Sequence, residues 1–529
     1  MKPCTVRKKR AAPSTASCNI IEKREDKKSM KKRISRLLYL LMPVVFLLGG
    51  CGTQKEDMVP IKVGITDDIV SLDVAGTKDI LSETVGRCVF STLYTFDEKL
   101  NLSPCLAENV EQVSELEWIF KLRDDVKFHD GTPLAASDVV FSIHRAMNIE
   151  KAEQSLLVIA DIEALNDKTV KVTTTDQMNN LPTLFVRTST SIMSEKAMSN
   201  PDYDVNKPVG SGPFKVIERT ERKEIRLERF DDYFGGAAKS RYLSFVVEPS
   251  EPNSTAMLLN GKLDILYRVA ANDGDYLDLN ESVNLYQTDS TKTELLILNP
   301  RVAPINDIRV RQAIACAIDK QSIIDNVLSG FGKAQSSIIP APILGFADFK
   351  EYSYNPEKAR ELLAQAGYPD GFDFTVLTFD SQRKKLMEYL KMDFAEVNIN
   401  LNYEFLELQE YLDIVGKGTQ MGSIMSWTSN PDPDSTLTQL FSKAGHPTVN
   451  QSGFTNPRVE ELLEQGRMET NTEAREAIYQ EANQIIAGSY YAVPLYQPAV
   501  LVAARADIAG VCVNPQGIFG YENLYRKNQ

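Results

Sequence analysis

Histidine and cysteine are the scarcest reactive side chains of this 529-residue chain, three and seven in number. His129, His144 and His446 stand far apart in the sequence, whereas a zinc or nickel site made of protein imidazoles wants two or three ligands close together. No resident metal and no cofactor is expected. Cys88, Cys105, Cys316 and Cys512 form no CxxC pair, which argues against a metal cluster. In an oxidising compartment one disulfide is open to them, Cys88 and Cys105 being nearest in sequence. The chain has no GxSxG, P-loop, GxGxxG, HExxH or EF-hand loop. Gly210-Ser211-Gly212 runs into Pro213, which lacks the amide a phosphate cradle uses, so it reads as a tight turn into the strand Phe214-Lys215-Val216. No enzyme is expected.

Cys51 offers another chemistry. It closes Leu48-Gly49-Gly50-Cys51 at the end of an apolar run, Leu37 to Leu48, that follows Lys31, Lys32, Arg33 and Arg36. A basic segment, an apolar segment and small residues ahead of a cut make a secretory signal. The run is well short of the ~20 residues a spanning helix needs, and Pro43 interrupts it. A cysteine just after the small pair resembles the lipobox of bacterial lipoproteins. That resemblance implies lipidation of the Cys51 thiol and a mature chain held on the extracytoplasmic face of the cell membrane, since two acyl chains make a stable anchor. Met30 directly precedes the basic cluster. Residues 1–29 therefore read as an extension ahead of the true start, 30–50 as the signal peptide and 51–59 as a polar tether. Residues 1–51 hold thirteen of the 59 Lys+Arg and three of the 72 Asp+Glu, leaving 46 against 69 beyond them, a net charge of −23. That balance excludes nucleic acid as partner, because phosphates are held by Lys and Arg. It mildly favours cationic or zwitterionic ligands.

The elements that must position these groups alternate between strand and helix. Ile61–Ile65 and Trp118–Leu122 alternate as strands, Trp118, Phe120 and Leu122 sharing a face. Ser137 reads as a helix N-cap ahead of Val140, Ile143, His144 and Met147, which places His144 on the apolar stripe as a core histidine. Val310, Ala313, Ile314, Ala317 and Ile318 mark another helix, and Asn355-Pro356 and Asn456-Pro457 each cap and open one. Phe372–Val376 follows the Asp370-Gly371 turn as a strand, and Tyr490–Leu495 and Val500–Ala503 read as two further strands. Met425 and Trp427 alternate in a strand-like run, while Tyr94 and Phe96 read as core. The interleaving predicts an α/β protein without repeats or a structureless linker.

Seven blocks, in order, resemble one family: the large solute-binding proteins of ABC importers for peptides and nickel (family 5). They are Phe128–Pro133 with Ser137–Ser142, Pro208–Phe214, Arg229–Gly235, Asn260–Asp264, Asp307–Ile314 with Ala317–Lys320, Asn355–Tyr368 and Trp427–Asp434. The resemblance implies an α/β, two-lobed periplasmic-binding-protein fold of type II (cluster C) with an extra small domain on the first lobe. By that pattern the first lobe takes residues 60–295 and 497–529, the extra domain about 97–205 of these, and the second lobe 296–496. The chain would cross near Leu298-Asn299 and return near Tyr496.

The implied function is that of a monomeric substrate-binding lipoprotein. It would trap a peptide-like solute between its lobes and deliver it to the membrane permease and ATPase subunits of an importer. In the peptide branch an aspartate three residues after the tryptophan meets the ligand's ammonium; here that place holds Asn430, which carries no charge. The stretch from Trp427 to Asp432-Pro433 is also one residue shorter, as in the nickel-chelate branch. That branch uses an arginine and a loop histidine, for which Arg187 and His446 are the candidates. Trp427, Asn430, Asp432, His446 and Arg187 are thus the expected ligand-binding residues. A nickel-chelate or metallophore receptor is the alternative, and a surface signalling or hydrolytic lipoprotein the alternative of a different class.

Overall fold

Ala492–Arg505 is a single strand of 14 residues that ties the molecule together. Its first part pairs antiparallel with Lys292–Leu298 (Tyr496 opposite Glu294, Ala492 opposite Ile297), and its last part with Val283–Asp289 (Ala499 opposite Asp289, Arg505 opposite Val283). The chain therefore passes between two bodies at Ser290-Thr291 and again at Gln497-Pro498. The two strands expected at Tyr490–Leu495 and Val500–Ala503 are thus one continuous strand. Pro494 falls where the pairing shifts register between Glu294 and Leu295, a place that tolerates proline. Pro498 sits at the crossing, where its carbonyl accepts from the Ser290 Oγ at 2.7 Å. The computed structural model describes Thr5–Val6 and residues 59–527 except 78, 150–153 and 342. Met30, the signal segment and Cys51 lie outside the described residues.

The fold is mixed α/β and two-lobed. On one side, Ile61–Ile65 lies parallel to Tyr242–Val247 and to Ile265–Leu266. The hairpin Phe214–Thr220 and Glu224–Arg229 extends that sheet. On the other side, Asn400–Phe405, Asp373–Thr378 and Gly422–Thr428 run parallel, and Lys292–Leu298 joins them to the long strand. A separate antiparallel sheet, in the order Ala107–Gln112, Glu117–Leu122, Thr169–Thr174, Ile159–Asn166, makes a third body. Trp118, Phe120 and Leu122 are buried there on one face, as their alternation predicts.

Asn355 and Asn456 cap their helices as expected: each Oδ1 accepts a backbone N–H at 2.9 Å, from Lys358 and from Arg458, with proline following. The helix of the small body departs from expectation in two ways. It starts at Ala136, ahead of Ser137. Asp138 secures that end by reaching back, its Oδ2 accepting from Ala135 N–H at 2.9 Å. Its buried face carries Ala136, Val139, Ile143 and Ala146, so His144 is exposed rather than core and lines an open groove of about 480 Å³. Adjacent Val139 and Val140 allow either helical register, and packing on the sheet chooses the one that excludes His144. Cys88 and Cys105 do not pair; both are free thiols, Cys88 in the first-lobe core.

His129 is half-buried and hydrogen-bonded on both sides of its ring. Its Nδ1 accepts from Gly210 N–H at 3.2 Å, so Nε2 carries the proton and donates to the Gly212 carbonyl at 3.0 Å. Burial above all lowers its pKa to about 4. The ring thus stitches Phe128–Pro133 to Pro208–Phe214. A Cβ at Gly210 would come within 2.0 Å of the Val89 carbonyl oxygen, so the glycines serve close backbone approach.

Candidate functional site

The strands Lys292–Leu298 and Gly422–Thr428 meet the crossing at one end, and their antiparallel register sorts their side chains onto two faces. Thr293 opposes Trp427 and Leu295 opposes Met425 on one face; Glu294 opposes Ser426 on the other. The Ser429 N–H donates to the Thr291 carbonyl at 2.8 Å and carries the register one step further. On the first face, Thr291, Thr293 and Ser429 are buried, and their three hydroxyl oxygens have no hydrogen-bond partner among the described residues. Trp427 is half-buried beside them, its Nε1–H donating to Thr436 Oγ1 at 3.2 Å. Leu100, from the turn after Tyr94–Phe96, packs into the cluster that Trp427 borders. Tyr94 is core, as expected, whereas Phe96 is only half-buried against that same cluster.

The second face is charged. Arg383 Nε donates to Glu294 Oε1 at 2.5 Å, with the two side chains 8% and 4% exposed. Arg383 Nη2 donates to Ser426 Oγ at 2.7 Å, and that hydroxyl donates to Glu294 Oε2 at 2.9 Å. Burial pushes the Tyr496 phenol well above its ordinary value, and Glu294 adds to the shift. None of these groups was singled out from the sequence. A signal existed: Glu294 directly precedes the apolar run Leu295–Leu298, and a carboxylate in a buried strand demands a partner. The partner lies 89 residues away, beyond any local pattern.

The strand Gly422–Thr428 has one edge that is paired over only part of its length. Gly422–Thr428 pairs with Lys292–Leu298 along its whole length, but on its other side pairs with Val376 and Leu377 only at Gly422 and Ser423. From Ile424 to Thr428 that edge carries no strand among the described residues.

Of the expected residues, Trp427, Asn430 and Asp432 fall at this crossing. Asn430 is half-buried, its Nδ2 donating to Ser435 Oγ at 3.4 Å. Asp432 is fully engaged. Its Oδ1 accepts from Asp434 N–H at 3.0 Å and caps Pro433–Phe441. Its Oδ2 accepts from Arg475 Nη2 at 2.8 Å and from Asn180 Nδ2 at 2.7 Å. Asn180 precedes Leu181 and Phe185, which belong to the small-domain core, so this bond joins the two sides of the molecule. The neighbouring Asn179 amide reaches the Met468 carbonyl. Arg187, half-buried, ends the Leu181–Val186 turn on that same bridging segment. His446 lies apart. It is exposed, its Nδ1 is 2.8 Å from Thr448 Oγ1, and its loop packs near Gly416. The helix Pro433–Phe441, about 13 Å long at 1.5 Å per residue, separates that loop from Asp432.

Residues 101–448 match the family described as bacterial extracellular solute-binding proteins, family 5 Middle. The glutathione-binding protein GsiB of Escherichia coli (strain K12) is 24% identical over 495 residues, 90% of this chain and 96% of the relative. HbpA2 from Haemophilus parasuis has the same fold at a TM-score of 0.81 and 26% identity, covering 89% of this chain and 100% of that one. DppA from Helicobacter pylori, a periplasmic binding protein in complex with the peptide STSA, gives 0.74 at 26% identity over 89% and 98%.

Proposed function

We propose that this chain, which belongs to the bacterial extracellular solute-binding proteins of family 5, takes an extended, peptide-like solute between its lobes and hands it to the permease of an ABC importer. The observation that carries the reading is the unpaired edge of Gly422–Thr428, accessible over Ser426–Thr428. An extended ligand backbone adds there as a further strand, main-chain hydrogen bonds giving affinity and flanking side chains giving selectivity. Trp427 forms one wall. The hydroxyls of Thr291, Thr293 and Ser429 supply polar groups whose burial is costly until a partner arrives. The relatives named for glutathione and crystallised with a peptide support the same class. A nickel chelate held by His446 and Arg187 would need both at the crossing, and His446 is a helix length from it.

Closure follows from the same geometry. The Asn180–Asp432 bond and the packing of Leu100 require the lobes to be together, and the two crossing segments are where a hinge acts. The protein works as a monomer without catalysis. Its ligand load sets the fraction closed, which is what the permease reads.

Cys51 is the proposed anchor, lipidated after cleavage of a signal that begins at Met30. The motif supports it, and so does the need to keep a receptor near its permease. A Cys51→Ser variant is expected to leave the membrane fraction; retention there would end this reading. Ligand class is tested by thermal unfolding with short peptides and with nickel–histidine. Ligand at a hundred times its Kd stabilises by about 2.7 kcal/mol. A shift with peptides is expected, and a shift with nickel–histidine alone overturns the reading.

A further inference from the structure

The crossing carries more positive than negative charge. Lys292, half-buried, begins the strand that leaves the crossing. Its backbone N–H donates to Ser290 Oγ at 3.1 Å and it opposes Thr428, which sets it at the crossing, where Glu294, Arg383 and Asp380 on the second-lobe side and Arg268 on the first act on its charge. Neither its ammonium nor the exposed Arg268 guanidinium has an ion pair or hydrogen bond among the described residues. Glu294 and Asp380 are both drawn to Arg383, at 2.5 and 3.5 Å. Asp289, at the end of the strand before the crossing, is paired with Lys333. Three cations thus face two carboxylates, and the Lys292 ammonium is held below the ordinary lysine range chiefly by burial.

No carboxylate is left to meet a ligand's ammonium in the Trp427–Asp434 run. Asp432 is taken by Arg475 and Asn180, Asp434 by Arg467 at 3.0 Å, and position 430 is an uncharged asparagine. The sequence beyond Cys51 is strongly acidic overall, yet the crossing has the opposite sign.

We propose that the cleft reads the carboxylate end of its solute through Lys292 and Arg268 and leaves the amino end unread, so that N-blocked peptides and other carboxylate-bearing amides are ligands on equal terms with free peptides. The assignment rests on the peptide-like reading above. A ligand carboxylate restores charge balance to a partly desolvated ammonium, whereas a ligand ammonium meets only carboxylates that are already paired.

The experiment uses the mature chain from residue 52 and a tetrapeptide library made in four forms: free, N-acetylated, C-amidated and blocked at both ends. Thermal unfolding ranks the forms, and calorimetry with the strongest single tetrapeptide gives Kd. N-acetylation is expected to change Kd by less than about threefold and C-amidation to weaken binding by about tenfold or more. Lys292→Gln and Arg268→Gln should each bind the free peptide less tightly and lose the penalty for amidation, while Lys292→Arg keeps it. Both side chains lie outside the hydrophobic clusters, and circular dichroism of the apo variants checks that they fold. Equal binding of free and amidated peptides, or loss of binding on acetylation, overturns the assignment while leaving the peptide reading in place. No shift with any form overturns both.

Discussion

Two arginine–carboxylate pairs of the second lobe, Asp432–Arg475 and Glu294–Arg383, differ in what surrounds them. Asp432–Arg475 is enclosed by its own bonds. The carboxylate also caps a helix and meets Asn180, and the guanidinium donates to the Gly466 carbonyl at 2.8 Å and lies over the Tyr479 ring. Glu294–Arg383 is bonded just as fully, but beside it stand Lys292 and Arg268 with no counter-charge. The first pair pins a structure; the second borders a place where a ligand can complete the charge balance. A pair alone does not mark a site. Surplus charge next to a pair does.

That contrast can be broken most strongly at Glu294. Arg383→Met leaves a nearly inaccessible carboxylate without its guanidinium, and urea unfolding should show a loss of about 3 kcal/mol. The double variant Glu294→Leu/Arg383→Met should recover most of it, because a buried pair replaced by apolar groups costs little. Equal losses in single and double variants would mean that the pair itself, not the orphaned charge, matters.

Asp432→Ala removes a cap and opens the other pair, whose side chains are each 15% exposed. A smaller loss of about 2 kcal/mol is expected in thermal unfolding. Asn180→Ala removes one bond present only when the lobes meet. Roughly 1 kcal/mol of closed-state stability is at stake, which stopped-flow should register as about fivefold faster peptide release. An unchanged release rate would make Asn180 a bystander.

Asp393 completes the comparison, because it is a buried carboxylate with no arginine. Burial raises its pKa to about 7, with Asp319 and Glu396 adding to the shift. The folded state therefore keeps a proton that the unfolded chain gives up near pH 4. Stability contributed by this group is present below about pH 4 and is lost as pH rises through about 7. Asp393→Asn retains an acceptor for the Asp319 N–H, which is 2.9 Å from the carboxylate, and should abolish that fall. Lys320, lowered to about 7 by burial, gives the opposite slope above pH 7 and should be unaffected.

Much of the scaffold was legible because it is decided by near neighbours. The Asn-Pro starts at 355 and 456 need only a side-chain oxygen and two or three amides beyond it. The Trp118–Leu122 alternation needs only a sheet with one buried face. Legibility failed where a distant surface chose between equal local options. Val139 and Val140 allow two helix registers, and the small-domain sheet selects the one that exposes His144. Residues 496–499 separate the two strands read at Tyr490–Leu495 and Val500–Ala503, and pairing with strands of both lobes makes them one. For the proposed site, the run from Trp427 to Asp432 was legible, but its partners were not. Asp432 meets Arg475 and Asn180, far away in sequence, and Glu294, Arg383 and Lys292 passed unnoticed.

The sequence by itself determined the local elements, the seven blocks and their order, the strong acidity beyond Cys51 and the missing charge at Asn430. Only the tertiary structure decided which charges neutralise one another and which remain over, and which edge of Gly422–Thr428 is paired over only part of its length. Caps and periodicity are settled within a turn of helix or a few residues of strand. Electrostatic balance depends on distance through space, and Arg268, Lys292, Glu294 and Arg383 become neighbours only when the two crossing strands are paired.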